Sequence, residues 1–290
     1  MNKKYTAEEL DLLHTELYDI LGETIRVCQK HDIPYFVIGG TAIGALYDQG
    51  ILPWDDDIDI GMTRENYNKF LKVAPGELGP SYFLSWIETD PHTPYYFAKV
   101  KKNNTLFVEE MFKNVPMHPG IFVDIFPFDR IPDNKLLRKL QYDAAGFLKC
   151  CLMGKEIWMW KHFGTCEIEN PTNRGAFSCF LNRVVDLLFS KKAIYRMLVS
   201  VQSCFNSRNT RYYNNVMATA DHVTVESIRH LQPVKFGPLT VTAPDDLEGF
   251  LRYNYPTLHR FTEEEQEKVN NHYPAALSFS TCLLYTSDAA

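Results

Sequence analysis

Four carboxylates fall within five residues in Trp54-Asp55-Asp56-Asp57-Ile58-Asp59-Ile60. Charges this close repel one another, and a divalent cation is the simplest thing that would hold them together. On an extended strand Asp55, Asp57 and Asp59 point to one face, successive members lying roughly 6.5–7 Å apart. Carboxylates so spaced can bracket one or two hard cations such as Mg2+ (or Mn2+), which take oxygen ligands. An acidic, solvated turn is the plainer alternative, but Trp54, Ile58 and Ile60 interleave with the acids. An EF-hand loop is excluded by spacing. With Asp55 as position one, position six is Ile60 rather than glycine and position twelve is Asn66 rather than glutamate.

Asp124 is a lone acid in the apolar run Gly120-Ile121-Phe122-Val123-Asp124-Ile125-Phe126-Pro127. An unpaired buried carboxylate is costly, so it needs a salt bridge, a backbone donor or a metal. With Asp57 and Asp59 available, a third metal ligand is the preferred reading. Upstream, Gly39-Gly40-Thr41 separates a strand-like run from a short helix. Such a turn lets a phosphate approach the backbone at a helix N-terminus. The glycine spacing matches neither a dinucleotide-binding fingerprint nor a P-loop.

These residues need a scaffold. Leu10, Leu13, Leu17, Leu21, Ile25 and Cys28 recur at helical spacing, predicting a helix over 6–31. Strands are expected at 35–38, 58–60, 82–86, 95–101 and 121–126, the last ended by Pro127. Helices are expected from Thr41, as a cap, to Tyr47 and from Thr63, also as a cap, to Val73. Beyond residue 130 the pattern turns helical, at 134–163 and 176–205. A hairpin follows around 235–242, and Asp245 with Glu248 announces a last helix. The expectation is an α+β fold: a mixed sheet flanked by helices in residues 1–130, completed by a mostly helical region, 131–281.

The 290 residues are 45% hydrophobic and 23% charged, so a disordered or fibrous chain is excluded. Net charge −6 is the wrong sign for a general nucleic-acid binder. The sequence carries no transmembrane stretch and no signal-peptide pattern, and its seven cysteines form no CxxC pair. A cytoplasmic chain with reduced thiols is expected. Residues 282–290, Cys-Leu-Leu-Tyr-Thr-Ser-Asp-Ala-Ala, match the in-frame translation of a transposase sequencing adapter and are set aside as an artefact. Losing Asp288 takes the net charge from −6 to −5.

The segments "GGTAIGALYDQGILPWDDDIDIGM", "FAKVKKNNTLFVE" and "GIFVDIFPFD" resemble the LicD family, and "LEGFLRYNYPTLHRFTEEEQEKVNNHYP" resembles its ending. Paired histidines common there are Asn271-His272 in this chain. The resemblance implies a nucleotidyltransferase-like fold and transfer of a phosphoalcohol, phosphocholine above all, from a CDP-linked alcohol donor to a cell-surface glycan acceptor such as lipopolysaccharide or teichoic acid. It implies Asp57, Asp59 and Asp124, with Asp55, as metal ligands, and Gly39, Gly40, Thr41, Lys99 and Lys101 at the donor phosphates. The lysines also suit a solvated edge strand. His118 suits an acceptor-orienting or a structural role, and an aromatic wall for choline could come from Trp54, Trp86 or Tyr96. Membrane contact is expected to be peripheral at most, at the inner face. Two other readings stay open: nucleotidyl transfer with release of pyrophosphate, and a non-catalytic module that binds a cation or a partner.

Overall fold

The computed structural model describes residues 4–163, 184–185, 187–215, 222–267 and 273–279. The chain opens with α1 (Ala7–Lys30), started by a reciprocal cap in which Thr6 and Glu9 each accept the other's backbone N–H. Its apolar stripe, from Leu13 to Cys28, is buried. Then follow β1 (Phe36–Val37), α2 (Gly39–Tyr47), β2 (Asp59–Thr63), α3 (Arg64–Glu77), β3 (Tyr82–Ser85), β4 (Ala98–Lys102), β5 (Leu106–Val108) and β6 (Phe122–Ile131). After β6 come α4 (Lys135–Phe163), α5 (Lys191–Ser203), β7 (Tyr212–Asn214), β8 (His222–Thr224), β9 (Leu231–Phe236), β10 (Leu239–Pro244), α6 (Leu247–Asn254), α7 (Glu263–Glu267) and β11 (Ala276–Ser278).

The main sheet runs β1-β2-β6-β4-β3, and β7 with β8 extends it beside the far end of β6. The β2–β6 pair is parallel and the other pairs are antiparallel, so the sheet is mixed. Ile60, Met62, Val100, Val123 and Ile125 are fully buried, one continuous apolar layer across β2, β4 and β6. The alternate residues carry the chemistry. A buried ion pair anchors the arrangement: the Arg64 guanidinium contacts Asp129 at 2.5 and 3.0 Å. Gln202 accepts from Arg64, and Asn206 donates to Asp129, which ties α3, β6 and the end of α5 together.

Several boundaries depart from expectation for local reasons. Pro127 does not end β6. Asp124 N–H donates to Ile58 O on the β2 side, so alternation aims the odd residues' amides at the other edge. There β6 has left β4 at Ile125 and meets β7 only at Asp129, so the missing N–H of Pro127 costs no ladder bond. Helix α2 begins at Gly39, with Ile38 as its cap residue, not at a Thr41 cap. Thr63 precedes α3 without a side-chain cap, and α3 runs on through Pro75. Strand β4 starts at Ala98, leaving Tyr95 outside it. Asp246, not Asp245, caps α6 by accepting from Gly249 N–H.

Beside its helices the second half carries strands beyond the expected hairpin, β7, β8 and β11, all between residues 212 and 278. In the expected helix 176–205, residues 184–185 and 187–188 are helical, and after a break at 189–190 α5 starts afresh, capped by Ser190. Residues 176–183, the tail 282–290 and His272 lie outside the described residues. The expected hairpin is present as β9–β10. Among the described residues no helix is long and apolar enough to cross a membrane, and Cys28, Cys150, Cys151 and Cys204 are free thiols.

Candidate active site

Parallel pairing sets Asp59 opposite Asp124, and antiparallel pairing sets Lys99 opposite the same Asp124. Register partners on neighbouring strands point to the same face, so β2, β6 and β4 present one row: carboxylate, carboxylate, ammonium. The row sits at the N-terminal ends of the parallel pair, since Asp59 is the first residue of β2. Asp55, Asp56 and Asp57 lie just before that strand in a loop rather than on it. All three are half-buried, and one oxygen from each falls within 4.8 Å of the others. Strand alternation therefore does not set Asp55 and Asp57; the loop does, and it adds Asp56.

Burial pushes Asp55 up to about 8, helped by Asp57 and Asp56. It pushes Asp59 well above the ordinary carboxylate range, with Asp57, Asp124 and Asp55 adding to the shift. Asp124 rises to about 6 through burial, opposed by Lys99. Four acids thus share one poorly solvated space, and each makes the next harder to ionise. The Lys99 ammonium lies 2.8 Å from Asp124 Oδ1 and 3.0 Å from Oδ2. It donates to Oδ2, while Oδ1 is buried without a directed hydrogen bond. An all-oxygen donor set with more buried carboxylates than Lys99 can compensate suits a hard divalent cation.

The double glycine is explained by these acids. Gly39 has φ +54, a left-handed conformation that disfavours side chains. A Cβ on Gly40 would lie 2.5 Å from Asp55 Oδ2. The helix N-terminus is thereby packed against the carboxylates, where its dipole favours negative charge. Asp59 N–H donates to Thr41 Oγ1 at 2.8 Å, which locks the start of β2 to α2.

Neither lysine is on an edge strand, because β4 lies between β3 and β6. Lys99 is 3% exposed, under the rings of Phe122 (3.4 Å) and Tyr95 (4.2 Å). Lys101 is buried, donates to His118 O, and is lowered to about 7 by burial and by Lys99. His118 is held by the fold: Asn103 Oδ1 lies 3.0 Å from Nε2, Nδ1 accepts from Gly120 N–H, and the ring stacks on Phe83.

Sequence reasoning missed Glu109, the residue after β5. It accepts from Tyr95 OH, and burial followed by the charges of Asp124, Asp57 and Asp56 raises it to about 8. It also missed the aromatic residues around a cavity of about 250 Å3 beside Gly39, Gly40 and Asp59, where Phe126, Phe128, Phe250 and Tyr255 join Asn215 and Asn254. Of the aromatic residues considered, Trp54 stacks on Phe261 and Tyr96 is buried with its OH on Asn215 O. Trp86 is half-buried against the core.

Residues 32–146, which hold every one of the acids just described, match the family model "LicD/FKTN/FKRP, nucleotidyltransferase domain". Over those residues the chain is similar to the LicD family. It is 29% identical over 196 residues to the lipopolysaccharide cholinephosphotransferase LicD of Haemophilus influenzae. That match covers 65% of this chain and 66% of the relative. An uncharacterized protein of Rickettsia typhi is 29% identical over 140 residues, 48% of this chain and 42% of that protein. A Rickettsia prowazekii protein is 37% identical over 73 residues, 25% of this chain and 27% of that one. The matched stretches span two thirds or less of each relative. The glycine turn, the acidic loop and Asp124 all lie inside the matched segment.

Proposed function

We propose that this chain is a LicD-type phosphotransferase. It moves a phosphoalcohol, phosphocholine first among the candidates, from a CDP-linked alcohol to a hydroxyl of a cell-surface glycan. The P–O bond to CMP breaks, a P–O bond to the acceptor oxygen forms, and the acceptor's proton is taken up by a base. The observation that carries the reading is the in-register pair Asp59 and Asp124 under the Asp55–Asp57 loop. The cholinephosphotransferase named among its relatives supplies the alcohol.

Asp55, Asp57, Asp59 and Asp124 would hold the divalent cation. When bound, Mg2+ (or Mn2+) supplies charge neutralisation for the donor pyrophosphate and for an in-line displacement. Lys99 keeps Asp124 compensated until then. The N–H groups at the start of α2, from Gly39 to Thr41, face the same space and suit a phosphate oxygen. Glu109 approaches the acids from the β5 side and is the carboxylate we assign to the acceptor's proton. The aromatic cavity beside Asp59 is the seat we assign to the donor's alcohol, since a quaternary ammonium favours ring faces.

Thermal unfolding of the full chain with Mg2+ and a panel of CDP-choline, CDP-ribitol, CDP-glycerol, CTP and ATP tests the donor without knowledge of the acceptor. A donor at about a hundred times its Kd adds about 2.7 kcal/mol to stability. The expected result is stabilisation by CDP-choline that disappears in Asp59→Asn. Stabilisation by CTP or ATP alone would replace this reading with nucleotidyl transfer. Mg2+ binding with no nucleotide effect would leave the cation-binding module.

A further inference from the structure

The first turn and a half of α4 is an amphipathic face that none of the described residues covers. Asn134 caps the helix by accepting from the amides of Leu136 and Leu137 at 2.9 and 3.1 Å, so these residues are ordered helix. Yet Leu136 is 67%, Leu137 48% and Leu140 56% exposed. At 100° per residue Leu136 and Leu140 share one side, opposite the buried Ala145 and Leu152 that face the core. Exposed leucines scattered singly are ordinary, but three within five residues form a patch.

Charge identifies the occupant. Lys135 and Lys139 are exposed, Arg138 packs on the ring of Tyr212, and Arg211 follows on the adjoining loop. Among the described residues nearby, Asp133 pairs with Arg211 and Asp143 with Lys139, which leaves Lys135 and Arg138 as the excess positive charge. A chain of net charge −6 therefore carries a cationic rim around these three exposed leucines. We infer that the start of α4 docks on an anionic phospholipid bilayer, its leucines entering the headgroup boundary and its lysines and arginines meeting lipid phosphates. Both parts of this pattern are what an in-plane membrane helix requires. The inference does not depend on the proposed reaction. It gives the chain an attachment at a surface, through side chains distinct from the acidic cluster.

Co-sedimentation of the full chain with vesicles tests it. The chain should pellet with mixed phosphatidylglycerol–phosphatidylcholine vesicles, weakly with phosphatidylcholine alone, and less as salt rises. Leu136→Ser with Leu140→Ser should reduce binding on the order of tenfold, as should Lys135→Glu with Lys139→Glu. All four side chains are exposed, so an unchanged unfolding midpoint shows that each variant is folded. Failure of the wild-type chain to bind anionic vesicles would overturn the inference, as would full binding by the double-leucine variant. A dimer that the double-leucine variant converts to monomer, with no vesicle binding, would assign the face to a second copy instead.

Discussion

The Lys99 ammonium lies 2.8 Å from Asp124 Oδ1, and the two residues are register partners on adjacent strands of the main sheet. A cation thus already sits against the acid assigned to a metal. The protein's own ammonium compensates Asp124, and on the proposed reading an added divalent ion would share or take over that role. Lys99→Gln should therefore destabilise the metal-free chain by leaving a buried carboxylate unpaired, by about 3 kcal/mol. Mg2+ should restore more stability to this variant than to wild type. Equal Mg2+ responses in thermal unfolding would show that Lys99 and the metal do not share Asp124.

The raised carboxylates make stability depend on pH in a defined direction. Asp55, ordinarily at 3.8, stands at about 8 when folded, Asp124 at about 6, and Glu109, ordinarily at 4.5, at about 8. Between their unfolded and folded values the native state binds more protons than the unfolded state. Stability is then full below about pH 4 as far as these groups are concerned, and falls as pH rises towards 8. Urea titrations of the metal-free chain at pH 5 and pH 8 should show the loss, and Mg2+ should reverse it at pH 8 but hardly at pH 5. A midpoint that rises over this range would contradict the shared burial of the acids.

Gly40→Ala places a methyl group 2.5 Å from Asp55 Oδ2 and must displace that carboxylate. The expected signature is weaker Mg2+ binding with a small stability cost, because the new neighbour is a side-chain tip rather than backbone. Gly39→Ala forces φ +54 on alanine and should cost about 1–2 kcal/mol in folding instead. Isothermal titration with Mg2+ and denaturant unfolding separate the two effects.

Much of the site was legible in the chain itself. The acids were recognisable because a lone Asp124 in an apolar run and a dense Asp55–Asp59 cluster both demand compensation. The way they meet was not, because it depends on β6 lying between β2 and β4, a pairing of strands distant in sequence. The same non-local order turns Lys99 from a solvated edge residue into a buried counter-ion. Glu109 carried no signal, since it follows a three-residue strand whose partner is β11. Pro127 was misleading for a local reason: which edge its missing N–H faces depends on the neighbouring strands.

The Arg64–Asp129 pair should matter for folding and not for the reaction, since it lies at the other end of β6. Asp129→Asn should cost about 3 kcal/mol, leaving a buried guanidinium without its charge partner. Denaturant unfolding should show the loss, while Mg2+ affinity measured on the folded fraction stays that of wild type.

Which bond breaks separates phosphoalcohol transfer from nucleotidyl transfer. The purified full chain, incubated with CDP-choline, Mg2+ and a lipopolysaccharide acceptor, should release CMP and leave phosphocholine on the glycan, with neither product formed by Asp59→Asn or Asp124→Asn. Release of pyrophosphate from CTP in place of CMP from CDP-choline, or undiminished CMP release by Asp59→Asn, would contradict it.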